Sequence, residues 1–581
     1  MLAPAISKVR EFLGSWKNLL ALGTLPLLGA WIYSRVWMVN PAILGDEYIY
    51  STNARNWDFW GTPPAGDFSN YLFNALYSTT TLCGDSFYQC AKLLNIGFFL
   101  SFTLTLFVIA LRYMPFWWAY VFLIFASLSP LAVYTSMFLP ESMFYFFAGL
   151  VLLAFLRASR EMSISAWALL GASIGVATLV KPHAWLISIP IAISVSILAL
   201  GNRVGWKSYL ASGGLIFGSA VAARLVLGIF VAGPQAVNFF GQYISADVID
   251  RVTRSVDSTS QLGGGSVVGA GPIAGIQGTF LSQLNVHLLT AVAVMAVPLV
   301  VLIAANASLL LRGHIGPAAH LTLVVTVWFF ALLIEIVLFT GYITGNGDDH
   351  TTRVLLRYYE YLYLFVPLAA LAWASETHKT FKPHLVIRIA SSVAGLWALS
   401  AGLTGLFSGL TIQIADAPTL AGLVVNQSVY NSVGILAFAG LLSFAFFPRS
   451  AKYALVATFA VTSASLGWEI QGQYQNFRAA YGNADQAGFY IRDNMDEPTK
   501  AGTLIVSDNR FDATLAAMWG DSPFLRYELY YPGSPLVVDQ FFDGGYSSVL
   551  VIGDFDLISP NHEDLANSNA FKFFVASEVP E

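Results

Sequence analysis

The stretch LNIGFFLSFTLTLFVIALR (94–112) has no charged side chain until its last residue, Arg112. Its apolar residues do not alternate with polar ones, so it does not read as a strand with one wet face. Its length matches the roughly 20 residues a helix needs to cross about 30 Å of hydrocarbon. Comparable runs recur from residue 19 to residue 470. In lipid only helices and closed barrels satisfy every backbone polar group, and barrels need short alternating strands. Continuous runs therefore mean helices. The composition agrees: 56% of the 581 residues are hydrophobic and only 11% are charged, against about 25% charged in a soluble chain. The net charge of −5 and the lack of a basic tract give no reason to expect nucleic acid as a partner.

Working outward from 94–112, about 13 spans are predicted, near 18–39, 94–112, 116–135, 142–157, 164–180, 184–201, 208–231, 288–311, 321–343, 358–375, 385–408, 430–447 and 453–470. Alternate turns are short and basic. They carry Lys8, Arg10 and Lys17, then Arg112, Arg157 with Arg160, Arg203 with Lys207, Arg312, Lys379 with Lys382, and Arg449 with Lys452. Positive residues mark the cytoplasmic side. The N-terminus is therefore expected on the cytoplasmic side of the cytoplasmic membrane, with its first helix retained because no small-residue cleavage site follows it. An odd number of spans puts the C-terminus outside.

The segments expected outside are longer and polar. They are 40–93, the turn SMFLPES (136–142), the Gly/Ser-rich 232–287, and a segment from 344 onward that holds TGNGDDHTTRVLLRYYEY (344–361). Loops of this length in a compact fold are usually functional or disordered, so the chemistry is expected on that side. Cys83 and Cys90, the two cysteines of the chain, fall in the first of these segments. A disulfide suits an oxidising compartment; two free thiols are the alternative. From residue 472 the composition changes. TLIVSD (503–508) and SSVLVIGDF (547–555) read as strands, and DQAGFYIRDNM (485–495) and DATLAAMW (512–519) as helices. The fold class is an all-α polytopic membrane protein over 1–471, followed by a small extracytoplasmic α/β domain over 472–581.

Several charged residues at the outer membrane boundary are candidates for chemistry. Asp46 and Glu47, in GDEYIY (45–50), can serve as general base and partner if half-buried; two solvated loop acids are the alternative. Glu141 follows Pro140 at the mouth between two spans. An acid at an apolar boundary is costly and a functional candidate, although Pro140-Glu141 also suits the first turn of a helix. Lys181, followed by Pro182 and His183, breaks the inside bias of the basic residues. It either holds a phosphate or snorkels. Arg353 and Arg357 are four apart and share a face if helical, a clamp suited to phosphate. Asp348, Asp349, His350 and Glu360 surround them. Three adjacent residues such as 348–350 rarely all reach one metal. Arg224 and Glu335 lie within spans, where charges pair or line a cavity. Trp57, Phe59, Trp60, Tyr71 and Phe73 suit an interfacial aromatic belt or stacking on sugar faces.

These stretches resemble the C-type glycosyltransferase superfamily (GT-C). GDEYIY with Asp46 and Glu47 is similar to the Asp-Glu motif of protein O-mannosyltransferases and aminoarabinose transferases. SMFLPES with Glu141 is similar to their second acidic site. GVATLVKPHAWLISIP (175–190) looks like their Leu-x-Lys-Pro run, and LLRYYEYLYLFVP (355–367) like their Arg-Tyr segment entering a late helix. The matching order covers roughly residues 18–375, and the C-terminal domain looks like that of many such enzymes, including arabinofuranosyltransferases. The resemblance implies an inverting transfer of an arabinofuranosyl or hexosyl group. It would pass from a polyprenyl-phosphate donor to a glycan, lipid or protein acceptor in cell-envelope glycan biosynthesis. Asp46 would be the base, with Glu47 or Glu141 positioning the acceptor or a metal. Lys181, Arg353, Arg357 and Arg55 would meet the donor phosphate, and His183, Asp348, Asp349, His350 and Glu360 the acceptor side. A divalent cation (Mg, Mn or Ca) is a cofactor in part of the superfamily. Two other readings of the residues stand beside this one. A lipid-linked sugar flippase would use Arg224 and Glu335, and a ligase or polymerase using a lipid diphosphate would use His350 and Arg353.

Overall fold

The computed structural model describes residues 15–41, 46–61, 69–202, 206–239, 272–312, 317–345, 353–376, 384–403, 407, 410–447, 450–477, 481–530, 535–558, 564–567 and 570–576. Each of the thirteen predicted spans overlaps a helix among the described residues. They begin with Trp16–Val36 and Phe87–Ala110 and end with Gln427–Phe446 and Ala451–Phe477. Among the described residues, eight helices are long and apolar enough to cross a membrane. A ninth is added if Phe116–Ser127 and Pro130–Ser136, bent by 49° at Leu128-Ser129, form one broken span. Ile164–Val180, Leu362–Glu376 and Leu385–Ser400 are apolar but shorter. Large apolar side chains such as Phe217, Val226, Phe230, Trp397 and Ile435 point outward and exposed, as lipid-facing residues do. The chain is a polytopic membrane protein built from these helices.

One close helix contact fixes the approach to Lys181. Ile164–Val180 packs along Trp206–Ala232, and Gly171 and Gly175 make the close packing possible. A Cβ on either would collide with the carbonyls of Ile216 and Ala220. Small residues four apart let helix backbones close up where lipid supplies no hydrophobic drive between helices. This seats the Val180 end of the helix firmly.

The segment expected as a long outer loop over 40–93 is largely helical: Glu47–Arg55, Tyr71–Tyr77, a 3-10 stretch Ser78–Ser86, and the start of Phe87–Ala110. Tyr71, Phe73 and Tyr77 are fully buried, while Phe59 and Trp60 are exposed. The aromatic residues of this region thus divide between core and surface. Cys83 and Cys90 are joined by a disulfide. The Gly/Ser stretch 263–271 and Asp348, Asp349 and His350 lie outside the described residues.

Past residue 471 the last long helix continues to Phe477. The strand region beyond it has five strands in the order β2 (Arg526–Leu529), β1 (Thr503–Ser507), β4 (Ser548–Ile552), β7 (Lys572–Val575), β6 (Asp564–Asn567). Strands β1, β2 and β4 are parallel, and β7 runs antiparallel to β4. A two-stranded piece pairs β3 (Leu536–Val537) with β5 (Leu557–Ile558). Strands β1 and β4 read as unbroken apolar runs because both faces are covered. Ile505 and Leu550 meet the helices Asn483–Asn494 and Arg510–Gly520. Leu504, Val506, Val549 and Val551 meet Leu536, Val538 and Phe541.

This α/β unit is docked on the helical part. Trp519 packs on Phe87 and Tyr88, with ring centroids 5.6 and 6.5 Å away. Arg55 stacks its guanidinium 3.8 Å from the Phe87 ring centroid, donates to the Met518 carbonyl at 3.1 Å and pairs with Asp521.

Candidate active site

Asp46 stands at the N-cap position of the Glu47–Arg55 helix, but its side chain makes no capping hydrogen bond. The carboxylate turns to Arg357 instead, and Oδ2 accepts from Nη2 at 2.6 Å. The helix N-terminus beside it favours negative charge. Burial, the largest single influence, works against that charge, and the guanidinium of Arg357 works for it. Lys181 and Arg353 add to the effect, and together they hold the Asp46 carboxyl below its ordinary range.

Lys181 owes its place to Pro182. The residue before a proline is pushed out of the helical region, and Lys181 is extended, with φ −142° and ψ 125°. Its own N–H still bonds the Ala177 carbonyl at 3.0 Å and ends the helix. The side chain then reaches Glu141, the first residue of Glu141–Glu161, and Nζ lies 2.6 Å from Oε1. Glu141 is thus both the first residue of its helix, as Pro140-Glu141 suggests, and the partner of Lys181.

The two ion pairs adjoin through one ring. Tyr358 has the Lys181 ammonium 5.4 Å from its centroid, the Arg357 guanidinium 5.3 Å away, and the His183 ring 5.0 Å away.

The helical spacing expected for Arg353 and Arg357 is not what joins them. Arg353 lies in an isolated parallel bridge with Thr411, and Arg357 in a short 3-10 turn, Leu356–Tyr358. They converge because both face Asp416. Arg353 Nε sits 2.6 Å from Oδ2 and Arg357 Nε 3.7 Å from Oδ1. The Arg357 N–H also donates to the Asp416 carbonyl at 2.6 Å. Asp416 is not among the residues that the sequence motifs bring forward. The available signal is that it is the single acid between residues 377 and 468, where an acid beside apolar segments is costly unless used.

The remaining sequence candidates fall into different places. Glu47 is buried, and its Oε1 accepts from Tyr88 Oη at 2.6 Å and from the Phe138 N–H at 2.7 Å. It braces the Glu47–Arg55 helix against the 136–138 turn. Glu360 is buried too, accepting from Tyr134 Oη at 2.9 Å and from the Thr419 N–H at 2.7 Å. That bond holds the 358–361 segment to the one after Asp416. Arg55 is not brought to the ion pairs at all: its guanidinium serves the docked α/β unit, because Phe87 and Asp521 flank it. Arg224 and Glu335 do not meet. Arg224 donates to the carbonyls of Thr178 and Asn238, both at 2.9 Å. Among the described residues, no group of three or more His, Cys, Asp or Glu side chains is arranged to hold a metal ion.

No protein-family model matches the chain, and no curated protein matches it in sequence. Among solved structures it is similar to ArnT from Cupriavidus metallidurans in the apo state, with 12% identity and a TM-score of 0.47. The similarity covers 96% of this chain and 97% of that one.

Proposed function

We propose that this protein is an inverting glycosyltransferase that takes a sugar from a polyprenyl-phosphate donor on the extracytoplasmic face of the cytoplasmic membrane. The observation that carries the reading is the Asp46–Arg357 pair at 2.6 Å, set beside Lys181 and Arg353. A base and a set of cations stand together where a monophosphate can leave.

An acceptor hydroxyl attacks the anomeric carbon, and Asp46 takes its proton. The bond from that carbon to the phosphate oxygen breaks, and the lipid phosphate leaves with the electron pair. The negative charge that grows on it meets Lys181, Arg357 and Arg353, cations already in place before the step. One displacement inverts the anomeric configuration. Arg357 has two tasks in this scheme. Before the donor arrives it keeps Asp46 ionised; when the phosphate engages it, the carboxylate is released toward the acceptor. The sugar transferred is an arabinofuranosyl or hexosyl group, and the acceptor is a glycan, a lipid or a protein. Of the two residues the flippase reading would use, Arg224 is taken up by backbone carbonyls.

Purified protein in lipid, supplied with polyprenyl-phosphate sugars and acceptor, tests the assignment. Asp46→Asn should bind donor and lose turnover. Full turnover in that variant would sink the base role.

A further inference from the structure

A cavity lies between the Pro182–Ile187 turn, the Pro317–Gly345 helix and the segment 358–361. Small-molecule sites are apolar with a few placed polar groups, and this cavity has that make-up. Among the described residues, Glu335 is the one carboxylate in its wall. Neither oxygen of Glu335 has a hydrogen-bond partner among those residues, although both are buried. A carboxylate in a membrane-spanning helix is costly, and it is kept where it meets a partner or a pathway. Arg224, the other charge predicted within a span, is engaged elsewhere.

The rest of the wall indicates what that partner is. Phe144, Tyr358, Tyr359 and Tyr361 line the cavity, together with His183 and four Leu and Ile side chains. The Tyr359 hydroxyl is tied to His287 Nδ1 at 2.9 Å, and the Tyr361 hydroxyl accepts from Trp328 Nε1 at 3.0 Å. These two residues therefore offer the cavity mainly ring surface. Aromatic rings with one carboxylate suit a sugar: the rings cover its C–H faces, and the carboxylate accepts from its hydroxyls. A bare hydrocarbon chain would leave Glu335 unsatisfied. Tyr358 is also the ring shared by Lys181 and Arg357, so the cavity adjoins the cations assigned to the donor phosphate.

We infer that this cavity is the glycosyl subsite and that Glu335 recognises hydroxyls of the transferred sugar. The inference rests on the proposed lipid-phosphate donor and adds a specificity-determining residue to it.

Binding to full-length protein in nanodiscs tests both readings separately. The probes are bare polyprenyl phosphate and polyprenyl phosphates carrying glucose, mannose, galactose or arabinofuranose. At least one glycosylated lipid should bind the wild type about ten-fold more tightly than the bare lipid, as one or two added hydrogen bonds allow. Glu335→Leu should erase that gain and leave the bare lipid unchanged, which also shows that the variant is folded. Glu335→Gln, which keeps an acceptor oxygen, should retain part of it. The inference falls if the gain survives in Glu335→Leu, or if no sugar binds better than the bare lipid. It falls as well if Glu335→Leu weakens bare and glycosylated lipids alike, which would put the prenyl chain in the cavity. If no polyprenyl phosphate binds, or if Lys181→Ala and Arg357→Met leave bare-lipid binding intact, the donor reading itself fails.

Discussion

Two ion pairs of the same length sit side by side in this protein and differ in their access to solvent. Lys181–Glu141 and Arg357–Asp46 are both 2.6 Å. The first has side chains 5% and 1% exposed; in the second Asp46 is 28% exposed. A pair sealed in the interior has no cheap alternative to its partner, because each charge left alone would be desolvated without compensation. A pair open on one side can exchange its partner for a ligand at small cost. Equal distance thus conceals unequal settings: Glu141 holds Lys181 in a sealed pair, and Asp46, the base in the proposed reaction, is open on one side.

The comparison breaks most sharply on Asp46 itself. Asp46→Asn should lower kcat by about 10²–10⁴-fold, the usual contribution of a general base, while the melting midpoint in detergent changes little. Equal losses of activity and stability would erase the distinction between the pairs. Glu141→Ala should do the reverse in kind. It leaves Lys181 buried and unpaired and should cost about 3–5 kcal/mol of stability, read as a large drop in melting midpoint. The double variant Glu141→Gln/Lys181→Met should regain much of that stability and none of the donor binding.

Arg55→Ala probes a third setting, where a cation stacks on Phe87 and its acidic partner Asp521 is open to water. Removing it should cost roughly 1–2 kcal/mol, seen as earlier melting of the α/β unit. Turnover should stay well above that of Asp46→Asn.

The smallest effect sharpens the comparison through pH. Burial alone would raise the Asp46 carboxyl, but Arg357, with Lys181 and Arg353, outweighs it and the value is lowered. A carboxyl lowered on folding adds stability above its unfolded pKa, and that stability is lost as pH falls through the folded value. The acid limb of kcat/KM should therefore lie below the ordinary carboxylate range. In Arg357→Met it should move upward, and an unmoved limb would detach Arg357 from the ionisation of Asp46.

How far the sequence reaches differs between levels of structure. The spans are legible because lipid demands long apolar runs and a helix meets that demand locally. The helices and strands of the C-terminal unit are legible for a related reason, since β1 and β4 are short apolar runs set between turn residues. Lys181 stands out because a basic residue at the outer end of a span breaks the inside bias, and the effect of Pro182 on its backbone is also local. Asp416 does not stand out, although it is what brings Arg353 and Arg357 together. Nor does the brace made by Glu47 with Tyr88 and Phe138, or the diversion of Arg55 to the α/β unit.

Each of these joins residues far apart in the chain, and nothing in the spacing of one segment says which distant side chain it will face. By itself the sequence determined the solvent, the helical class and most of the boundary charges, because burial in lipid acts residue by residue. Only the tertiary structure decided which charges pair, which pair stays open to water, and that Glu335 faces a cavity rather than Arg224. Pairing energy depends on distance and desolvation, and both are settled when the helices pack.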